Sequence, residues 1–337
     1  MSTSCDTDLN AKLGFGANVI AEFGLLVADV FNAYANNPSA AKPPALNDSL
    51  LDKLQTEGLV LGYLIARDAI YPAESQLQLS PATVSYGALF RFNGVHVIAI
   101  RGTASLAEWV INTRCALVPH PSNDNVRVEQ GFSSIYSTMQ YVPAIGAPGP
   151  DAGNVQPSLI GALEEVIGTN PVLITGHSLG AAIATYLAYD LTPALSPGQV
   201  RACFFASPNP GDQGFAEAFD KVFRDNGGRY VVINNTADKV PRLPPPELGF
   251  APLPAVLPLS ADNIDTTMTV APDALCNHHV VCYAAMLSSA AVQQYAVDAG
   301  VTTTTWASLL EMNGDQSYCL LTAQQVAVRN LQALAGA

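Results

Sequence analysis

Apolar residues recur along this chain with two different periods, and these periods divide it into helices and strands. Residues 10–35 and 48–70 show the spacing of helices, and the segment NNPSAAKPPALND separates them. The runs ALFRF and VHVIAI, joined through Asn93 and Gly94, predict a β-hairpin. Further strands are expected at 171–175, 200–206 and 230–235, with amphipathic helices at about 156–168 and 179–191.

This order of elements indicates an α/β fold. Strands that alternate with helices form a mostly parallel central sheet flanked by helices. We expect a single domain over residues 1–337, because α/β folds of this length commonly close around one sheet. The segment 243–275 is rich in Pro and Leu and is expected to be irregular and to line a pocket. The final run, LTAQQVAVRNLQALAGA, predicts a helix packed on the body of the protein.

Composition narrows the possible partners. Hydrophobic residues make up 49% of the chain and charged residues 13%, which favours a large packed core over disorder. With 15 Lys and Arg against 28 Asp and Glu, the net charge of -13 disfavours binding to nucleic acid or to an anionic membrane surface. We therefore expect no nucleic-acid partner.

The cysteines and the first residues bear on the cellular compartment. Six cysteines lack the spacing of metal ligands, and reduced, buried thiols are the favoured interpretation, with disulfides as the alternative. The opening MSTSCDTDLN lacks the charge and apolar core of a secretory signal, and Glu22 and Asp29 interrupt the apolar stretch 14–31. We expect no transmembrane segment, and either a cytoplasmic protein or secretion by a signal-independent route.

The pentapeptide Gly176–Gly180 (GHSLG) is the strongest chemical feature. It lies between the run VLIT and an Ala-rich helix, the setting in which a strand turns sharply into a helix and exposes a nucleophilic serine. Glycines are needed there because the turn is strained and backbones approach closely. The motif predicts Ser178 as a nucleophile. We expect His177, its neighbour, to point away from Ser178 and to pack.

A serine hydroxyl becomes a good nucleophile only when a base takes its proton, and in this arrangement an acid and then a histidine follow the serine in the chain. The downstream histidines are His278 and His279. Asp238 is the favoured acid because it alone follows directly on a buried-looking strand, YVVINN, whose carboxyl end would deliver it to the site. The other candidate acids are Asp212, Asp262, Asp265 and Asp273.

The strand VHVIAI runs directly into Arg101, Gly102 and Thr103. An oxyanion hole in this fold combines the N–H after the nucleophile, here that of Leu179, with an N–H from the loop after the third strand. Thr103 fits the second position. We therefore predict an oxyanion hole made by Thr103 and Leu179.

Six blocks of sequence in order carry a resemblance to a known family. They are VIAIRGTASLAEWVINT, GFSSIYSTM, ITGHSLGAAIA, FFASPNPGDQGFAEAF, NNTADKVPRLPP and NHHVVCYAAML. Over residues 60–287 the chain resembles the class 3 lipases, which are α/β-hydrolases of the fungal triacylglycerol lipase type. The N-terminal helices at 10–70 and the C-terminal extension at about 290–337 lie largely outside these blocks.

The resemblance implies two further assignments. In the family the catalytic histidine is typically followed five positions later by Tyr, which selects His278 with Tyr283. The helix after the oxyanion residue, at about 104–113, is implied to be a lid over an acyl pocket. Its apolar substrate-binding face would be formed by Leu106, Trp109, Val110 and Ile111.

One departure from the family is visible. Relatives usually carry Val-His-x-Gly-Phe where this chain has Val128-Glu129-Gln130-Gly131-Phe132. Any local role of that histidine is therefore absent or changed.

These features predict a serine-dependent carboxylic ester hydrolase, a lipase that cleaves acylglycerols through an acyl-enzyme, with Ser178, Asp238 and His278 as its catalytic triad. No metal or organic cofactor is expected. The expected partner is a lipid or small ester substrate, with a lipid–water interface as a further expectation. The alternatives are a short-chain or aryl esterase, a phospholipase A, an acyltransferase to another alcohol and, remotely, a non-catalytic lipase-like binding module.

Overall fold

An eight-stranded sheet forms the centre of the computed structural model of this chain. The structure describes residues 3–36, 59–67, 83–92, 94–102, 115–144, 147, 158–264, 268–270, 274–298 and 319–322. The described residues form the strands β1 (Leu59–Arg67), β2 (Thr83–Phe92), β3 (Val95–Ile100), β4 (Leu117–His120), β5 (Asn123–Glu129), β6 (Gln140–Pro143), β7 (Val172–His177), β8 (Val200–Phe205), β9 (Arg229–Asn235), β10 (Val256–Leu259), β11 (Met268–Val270) and β12 (Leu320–Thr322). Strands β4 and β5 form a separate two-stranded sheet, as do β11 and β12.

The central sheet is mostly parallel. Its strand order is β10-β9-β8-β7-β3-β2-β1-β6. Strands β3, β7, β8, β9 and β10 pair in parallel, whereas β2, β1 and β6 are added antiparallel at one side. The carboxyl ends of β3, β7, β8 and β9 therefore lie at the same edge, where ligand sites of α/β sheets form.

Helices cover both faces of this sheet. They are α1 (Thr3–Leu13), α2 (Ala17–Asn36), α3 (Gln130–Tyr136), α4 (Leu159–Ile167), α5 (Leu179–Leu191), α6 (Gln213–Asp225), α7 (Ala274–His278), α8 (Val280–Leu287) and α9 (Ser289–Asp298). Side chains alternate along each strand, so Leu173 and Val231 join one hydrophobic core with α2 and α8. Ile174 and Val232 join a second core with α3, α5 and α6. Burial on both faces explains why these strands read as continuous apolar runs.

The predicted α/β architecture is confirmed, and most predicted elements occur within two or three residues of their expected bounds. The hairpin of β2 and β3 and the strands β7, β8 and β9 are present, as are α4 and α5. The helix expected at 10–35 is two helices separated by a turn at Gly14, which has a φ of 72°. The Asp6 carboxylate accepts a hydrogen bond from the N–H of Ala17 and so caps the second helix.

The helix expected at 48–70 is wrong over the part that the structure describes. Leu59–Arg67 is strand β1, which pairs with β2 on one side and with β6 on the other. Its sequence, LVLGYLIAR, is apolar enough for a buried element of either type, and the two neighbouring strands determine which one forms. Residues 48–58 and 68–70 lie outside the described residues.

The irregular character expected for 243–275 is confirmed over the described part, which holds short 3₁₀ turns and the small strands β10 and β11. Phe250 and Leu253 are buried, and Leu253 packs into the core, whereas Pro252 and Pro254 line a pocket beside α6. In the C-terminal extension, Leu320–Thr322 pairs antiparallel with β11. The rest of the expected C-terminal helix lies outside the described residues.

The expectation of reduced cysteines is wrong for one pair. Cys276 and Cys319 form a disulfide across a sequence separation of 43 residues. Among the other cysteines whose side chains are described, Cys203 and Cys282 are buried free thiols. The disulfide ties the C-terminal extension to α7, two residues before His278.

The turn between β7 and α5 brings two backbone segments into close contact. Ser178 has a φ of 61°, which is uncommon for a residue other than glycine. A Cβ at Gly180 would lie 2.3 Å from the carbonyl oxygen of Arg101, and one at Gly176 would lie 2.5 Å from the carbonyl oxygen of Gly180. Only glycine fits at these two positions, which explains the G-x-S-x-G spacing.

In the described part of the chain, no single helix is both long and apolar enough to span a membrane. The bent pair Asp6–Leu13 and Ala17–Phe31 reaches that length and composition only when its members are taken together. Within this pair, the apolar side chains of α2 are mostly buried in the core.

We predict that the double variant Cys276→Ser/Cys319→Ser unfolds at lower denaturant than the wild type. Opening a loop of 43 residues removes a constraint on the unfolded chain that is worth roughly 2–4 kcal/mol. Urea titration followed by fluorescence measures the difference. Cys203→Ser in the same assay controls for the loss of a cysteine as such. An unchanged midpoint in the double variant would contradict a structural disulfide.

We predict that Gly180→Ala lowers the free energy of unfolding by about 3 kcal/mol or more, because its Cβ meets backbone atoms that cannot move independently. Gly214→Ala in α6 is the matched control, since its Cβ meets only the Asp212 side chain, at 3.3 Å. Thermal unfolding of both variants measures the contrast. Equal stability of the two proteins would show that the close backbone contact is absent.

Candidate active site

Side chains that follow the strands β7 and β9 and one at the end of the helix α7 converge on one site. Ser178 follows β7 directly and precedes the first residue of α5. Asp238 lies three residues beyond the end of β9, and His278 is the last residue of α7. The N–H of Ser178 donates to the carbonyl of Phe205 at the end of β8, which fixes the turn against the neighbouring strand.

The three side chains form a continuous hydrogen-bonded relay. The Oγ of Ser178 is 2.7 Å from Nε2 of His278, and Nδ1 of His278 is 2.7 Å from Oδ2 of Asp238. A carboxylate only accepts, so Nδ1 carries the proton and Nε2 is left to accept from the serine hydroxyl. Such an arrangement can remove the hydroxyl proton and make the serine oxygen nucleophilic.

Asp238 is buried, at 3% exposure, and its carboxylate is fully hydrogen-bonded. Oδ2 accepts from His278 and also from the hydroxyl of Tyr283 at 2.8 Å, and Oδ1 accepts from the N–H of Val240 at 2.9 Å. Three donors offset the cost of burying a charge. In the sequence Tyr283 is marked only by its spacing from His278, and its contact with the Asp238 carboxylate appears only in three dimensions.

His177 does more than pack. Its Nε2 is 2.6 Å from the backbone carbonyl of His278, and since a carbonyl only accepts, Nε2–H donates this bond. Burial, followed by the proximity of His278, holds the pKa of His177 well below its ordinary value. The neutral imidazole of His177 therefore connects the turn that carries Ser178 to the backbone of His278. The expectation that its ring merely packs was incomplete.

The structure distinguishes the two neighbouring histidines. The Nδ1 of His279 accepts a hydrogen bond from the N–H of Val281, which makes His279 the N-cap of α8. Burial, with a smaller contribution from His278, lowers the pKa of His279 to about 4. His279 thus has a structural role at a helix end, and His278 is the histidine that contacts Ser178.

The other candidate acids are occupied elsewhere or are not described. Asp212 caps α6 by accepting from the N–H of Phe215, and Asp262 accepts from the hydroxyl of Ser260. Asp265 and Asp273 lie outside the described residues.

Of the two residues expected to form the oxyanion hole, the structure describes Leu179 but not Thr103. Leu179 is the first residue of α5, and the first N–H groups of a helix have no intrahelical acceptor, so its N–H is available to an anion. Gly102 lies against the nucleophile turn, because a Cβ there would be 3.0 Å from Cβ of Ser178. Thr103 follows Gly102 directly but lies outside the described residues. The expected lid residues Leu106, Trp109, Val110 and Ile111 also lie outside them.

Glu129 occupies the position where the class 3 lipases that this sequence resembles usually carry a histidine, and it caps a helix. It is buried, and its Oε2 accepts from the N–H of Phe132 at 2.8 Å, so that it caps α3. Burial raises the pKa of Glu129, and the donated backbone hydrogen bonds act in the opposite direction. The residue stabilises a helix start and is remote from the relay in sequence.

Within the described residues, no group of three His, Cys, Asp or Glu side chains converges as a metal site. The relay itself is composed of a hydroxyl, an imidazole and a carboxylate.

Comparison with known proteins identifies relatives of part of the chain. Residues 97–248 match the lipase (class 3) family. A secreted mono- and diacylglycerol lipase of Malassezia restricta is 32% identical over 163 residues, which are 47% of this chain and 49% of the relative. A chloroplastic phospholipase A(1) of Arabidopsis thaliana is 32% identical over 161 residues, 44% of this chain and 33% of the relative. The chain thus spans about half, or less, of the length of these relatives.

A solved structure shares the fold. A lipase–propeptide complex of Rhizomucor miehei superposes with a TM-score of 0.51 at 20% identity, covering 72% of this chain and 68% of the other. The mostly parallel sheet with helices on both faces is therefore the α/β-hydrolase fold. The matched residues 97–248 begin on β3 and include Ser178 and Asp238, so two of the three relay residues lie in the part of the chain that is similar to the class 3 lipases.

Proposed function

We propose that this chain is a serine-dependent carboxylic ester hydrolase that cleaves acylglycerols through an acyl-enzyme. The observation that carries the proposal is the relay from Ser178 through His278 to Asp238, with both hydrogen bonds at 2.7 Å. The similarity of residues 97–248 to the class 3 lipase family supports the same reaction.

In the proposed reaction, Oγ of Ser178 attacks the ester carbonyl while Nε2 of His278 takes its proton. His278 then returns this proton to the leaving alcohol, and water repeats the sequence on the acyl-enzyme. Asp238 holds the imidazole in the tautomer that this transfer needs. The ring of His278 is pre-oriented because both of its nitrogens are already engaged.

The negative oxygen of the tetrahedral intermediate would be held by the N–H of Leu179 and by Thr103. The position of Leu179 at the start of α5 supports the first donor, because helix N-termini favour anions. The contact of Gly102 with the nucleophile turn supports the second, because Thr103 is the next residue in the chain.

Acylglycerols are the proposed substrates. The relatives include a protein named as a secreted mono- and diacylglycerol lipase, although the chain covers only part of it. Ser178 is fully buried, so a substrate reaches it only after a neighbouring part of the protein moves. This burial is consistent with a lid at about 104–113 whose apolar face would consist of Leu106, Trp109, Val110 and Ile111.

A phospholipase A is the second candidate, favoured by the similarity to a protein named as a phospholipase A(1). A short-chain esterase and an acyltransferase would use the same relay and differ only in the groups they accept. A binding module without turnover is disfavoured, because it would have no need of a hydrogen-bonded serine, histidine and aspartate.

The disulfide between Cys276 and Cys319 favours an oxidising compartment over the cytoplasm. We infer that the protein works outside the cytoplasm, in agreement with the relatives that are named as secreted.

We predict that Ser178→Ala lowers kcat on p-nitrophenyl esters by at least about a thousandfold, because no other group can form the acyl-enzyme. The variant should also lose labelling by a serine-directed fluorophosphonate, with mass spectrometry locating the label on Ser178 in the wild type. Ser134→Ala is the control, since its hydroxyl bonds only to the Gln130 carbonyl within α3. A fully active Ser178→Ala variant would refute the proposed nucleophile.

We predict that the wild type hydrolyses long-chain p-nitrophenyl esters and emulsified mono-, di- and triacylglycerols, with a rate that rises steeply once the substrate exceeds its solubility. The reason is that a buried Ser178 needs a displacement that an apolar interface can stabilise. A rate that follows simple saturation across the solubility limit would reject the lid. Exclusive cleavage of short acyl chains would favour the esterase, and preferential cleavage of phospholipid vesicles the phospholipase.

A further inference from the structure

The end of the short helix that carries His278 is held by side chains from elsewhere. The last carbonyls of a helix have no intrahelical donors, and His278 is the final residue of α7. Nδ2 of Asn235 donates to the carbonyl of Asn277 at 2.9 Å, and Nε2 of His177 donates to the carbonyl of His278. The backbone of His278 is therefore attached to the strand that leads to the acid and to the nucleophile turn.

Asn235 also shapes the turn that carries the acid. Its Oδ1 accepts from the N–H of Ala237 at 3.1 Å, and its backbone carbonyl accepts from the N–H of Asp238 at 3.0 Å. One buried amide thus bonds on one side to the acid-bearing turn and on the other to the residue before His278.

Tyr283 closes this network from α8. Its hydroxyl donates to Oδ2 of Asp238 and accepts from the backbone N–H of Asn235 at 2.9 Å. The ring is fully buried and lies edge-on to His177 and to Phe205. Burial and the adjacent carboxylate raise the pKa of Tyr283 well above its ordinary value, so the phenol remains a donor.

We propose that Asn235 and Tyr283 are positioning residues that together set the separation and orientation of Asp238 and His278, an inference that rests on the proposed ester hydrolysis. Asn235 joins the backbone of the acid-bearing turn to that of α7, and Tyr283 fixes the carboxylate oxygen that accepts the hydrogen bond from Nδ1–H of His278. We call this pair the acid–base clamp.

The clamp matters because the acid and the base are on separate chain segments, 40 residues apart. Without the clamp, the hydrogen bond between His278 and Asp238 would depend only on the packing of α7 against the end of β9. Small displacements of catalytic groups cost large factors in rate while leaving substrate binding almost unchanged. Loss of the clamp should therefore reduce kcat rather than raise KM.

The experiment compares Tyr283→Phe, which removes only the hydroxyl, with Tyr136→Phe as a matched control. Tyr136 is also buried and donates to a carboxylate, Oδ2 of Asp190 at 2.6 Å. Asp190 lies twelve residues along α5 from Ser178, about 18 Å at the rise of a helix. Both variants lose a charge-assisted hydrogen bond, so a purely structural effect would be similar in the two.

We expect Tyr283→Phe to lower kcat on a soluble p-nitrophenyl ester by about ten- to a hundredfold, the range expected for losing a hydrogen bond to a charged group, with KM within about twofold. Tyr136→Phe should retain the wild-type kcat while its melting temperature falls by a comparable amount. Equal kcat values for the two variants would overturn the inference.

Asn235→Ala tests the other half of the clamp and provides a second variant if Tyr283→Phe folds poorly. Its control is Asn226→Ala, because Asn226 Nδ2 likewise donates to a backbone carbonyl, that of Val222, at 2.9 Å. We expect a kcat loss of about tenfold in the first and none in the second. A kcat in Asn235→Ala equal to that of its control would exclude a positioning role for the amide.

A readout without turnover separates the clamp from the proposed function. The Nδ1 proton of His278 should give a low-field proton resonance that moves in Tyr283→Phe and stays in place in Tyr136→Phe. If the wild type cleaves no ester but this resonance responds as expected, the proposed function fails and the clamp stands. If the wild type is active and the resonance and kcat are both unchanged in Tyr283→Phe, the clamp fails and the function stands.

Discussion

The parallel pairing of β3, β7, β8 and β9 is the constraint on which the rest of the molecule depends. Parallel strands end at the same edge, so residues that are far apart in sequence leave the sheet side by side. The turn after β7 is then pressed so closely against the end of β3 that Gly180 contacts the carbonyls of Ile100 and Arg101. Ser178 takes up an uncommon backbone conformation, with a φ of 61°, at this tightly packed turn.

The site contains a buried negative charge, the carboxylate of Asp238, which needs hydrogen-bond donors from the protein because it is shielded from water. Asp238 has almost no contact with solvent, yet each of its oxygens has at least one donor within the protein. The donors come from three separate segments, which are a turn, a short helix and α8. The same bonds that compensate the carboxylate for lost water also hold these segments together, so stability and geometry at the site have a common origin.

Much of this organisation could be predicted from the sequence, and the omissions have physical reasons. Ser178 and Asp238 are identified by local patterns, a glycine-bounded turn and the end of an apolar strand. Choosing His278 over His279 required the family pattern, because the two are adjacent and their surroundings differ only in three dimensions. Their roles diverge through single contacts, one with Ser178 and one with the N–H of Val281.

Elements that depend on distant partners were the ones predicted wrongly or not at all. Strand β1 reads equally well as a helix until β2 and β6 are placed beside it. The pairing of Cys276 with Cys319 leaves no local signal, and Asn235 looks like an ordinary residue at the end of a strand. Local propensity does not encode hydrogen bonds and covalent links between segments 40 or more residues apart.

The disulfide between Cys276 and Cys319 limits where the chain can be truncated. The residues that match the class 3 lipase family are 97–248, and Cys319 lies 41 residues along the chain from His278. A recombination event or an expression boundary placed between 279 and 318 would keep every residue of the relay and still remove the covalent anchor of α7. The C-terminal extension and the helix that carries His278 are therefore one covalently linked unit in this chain.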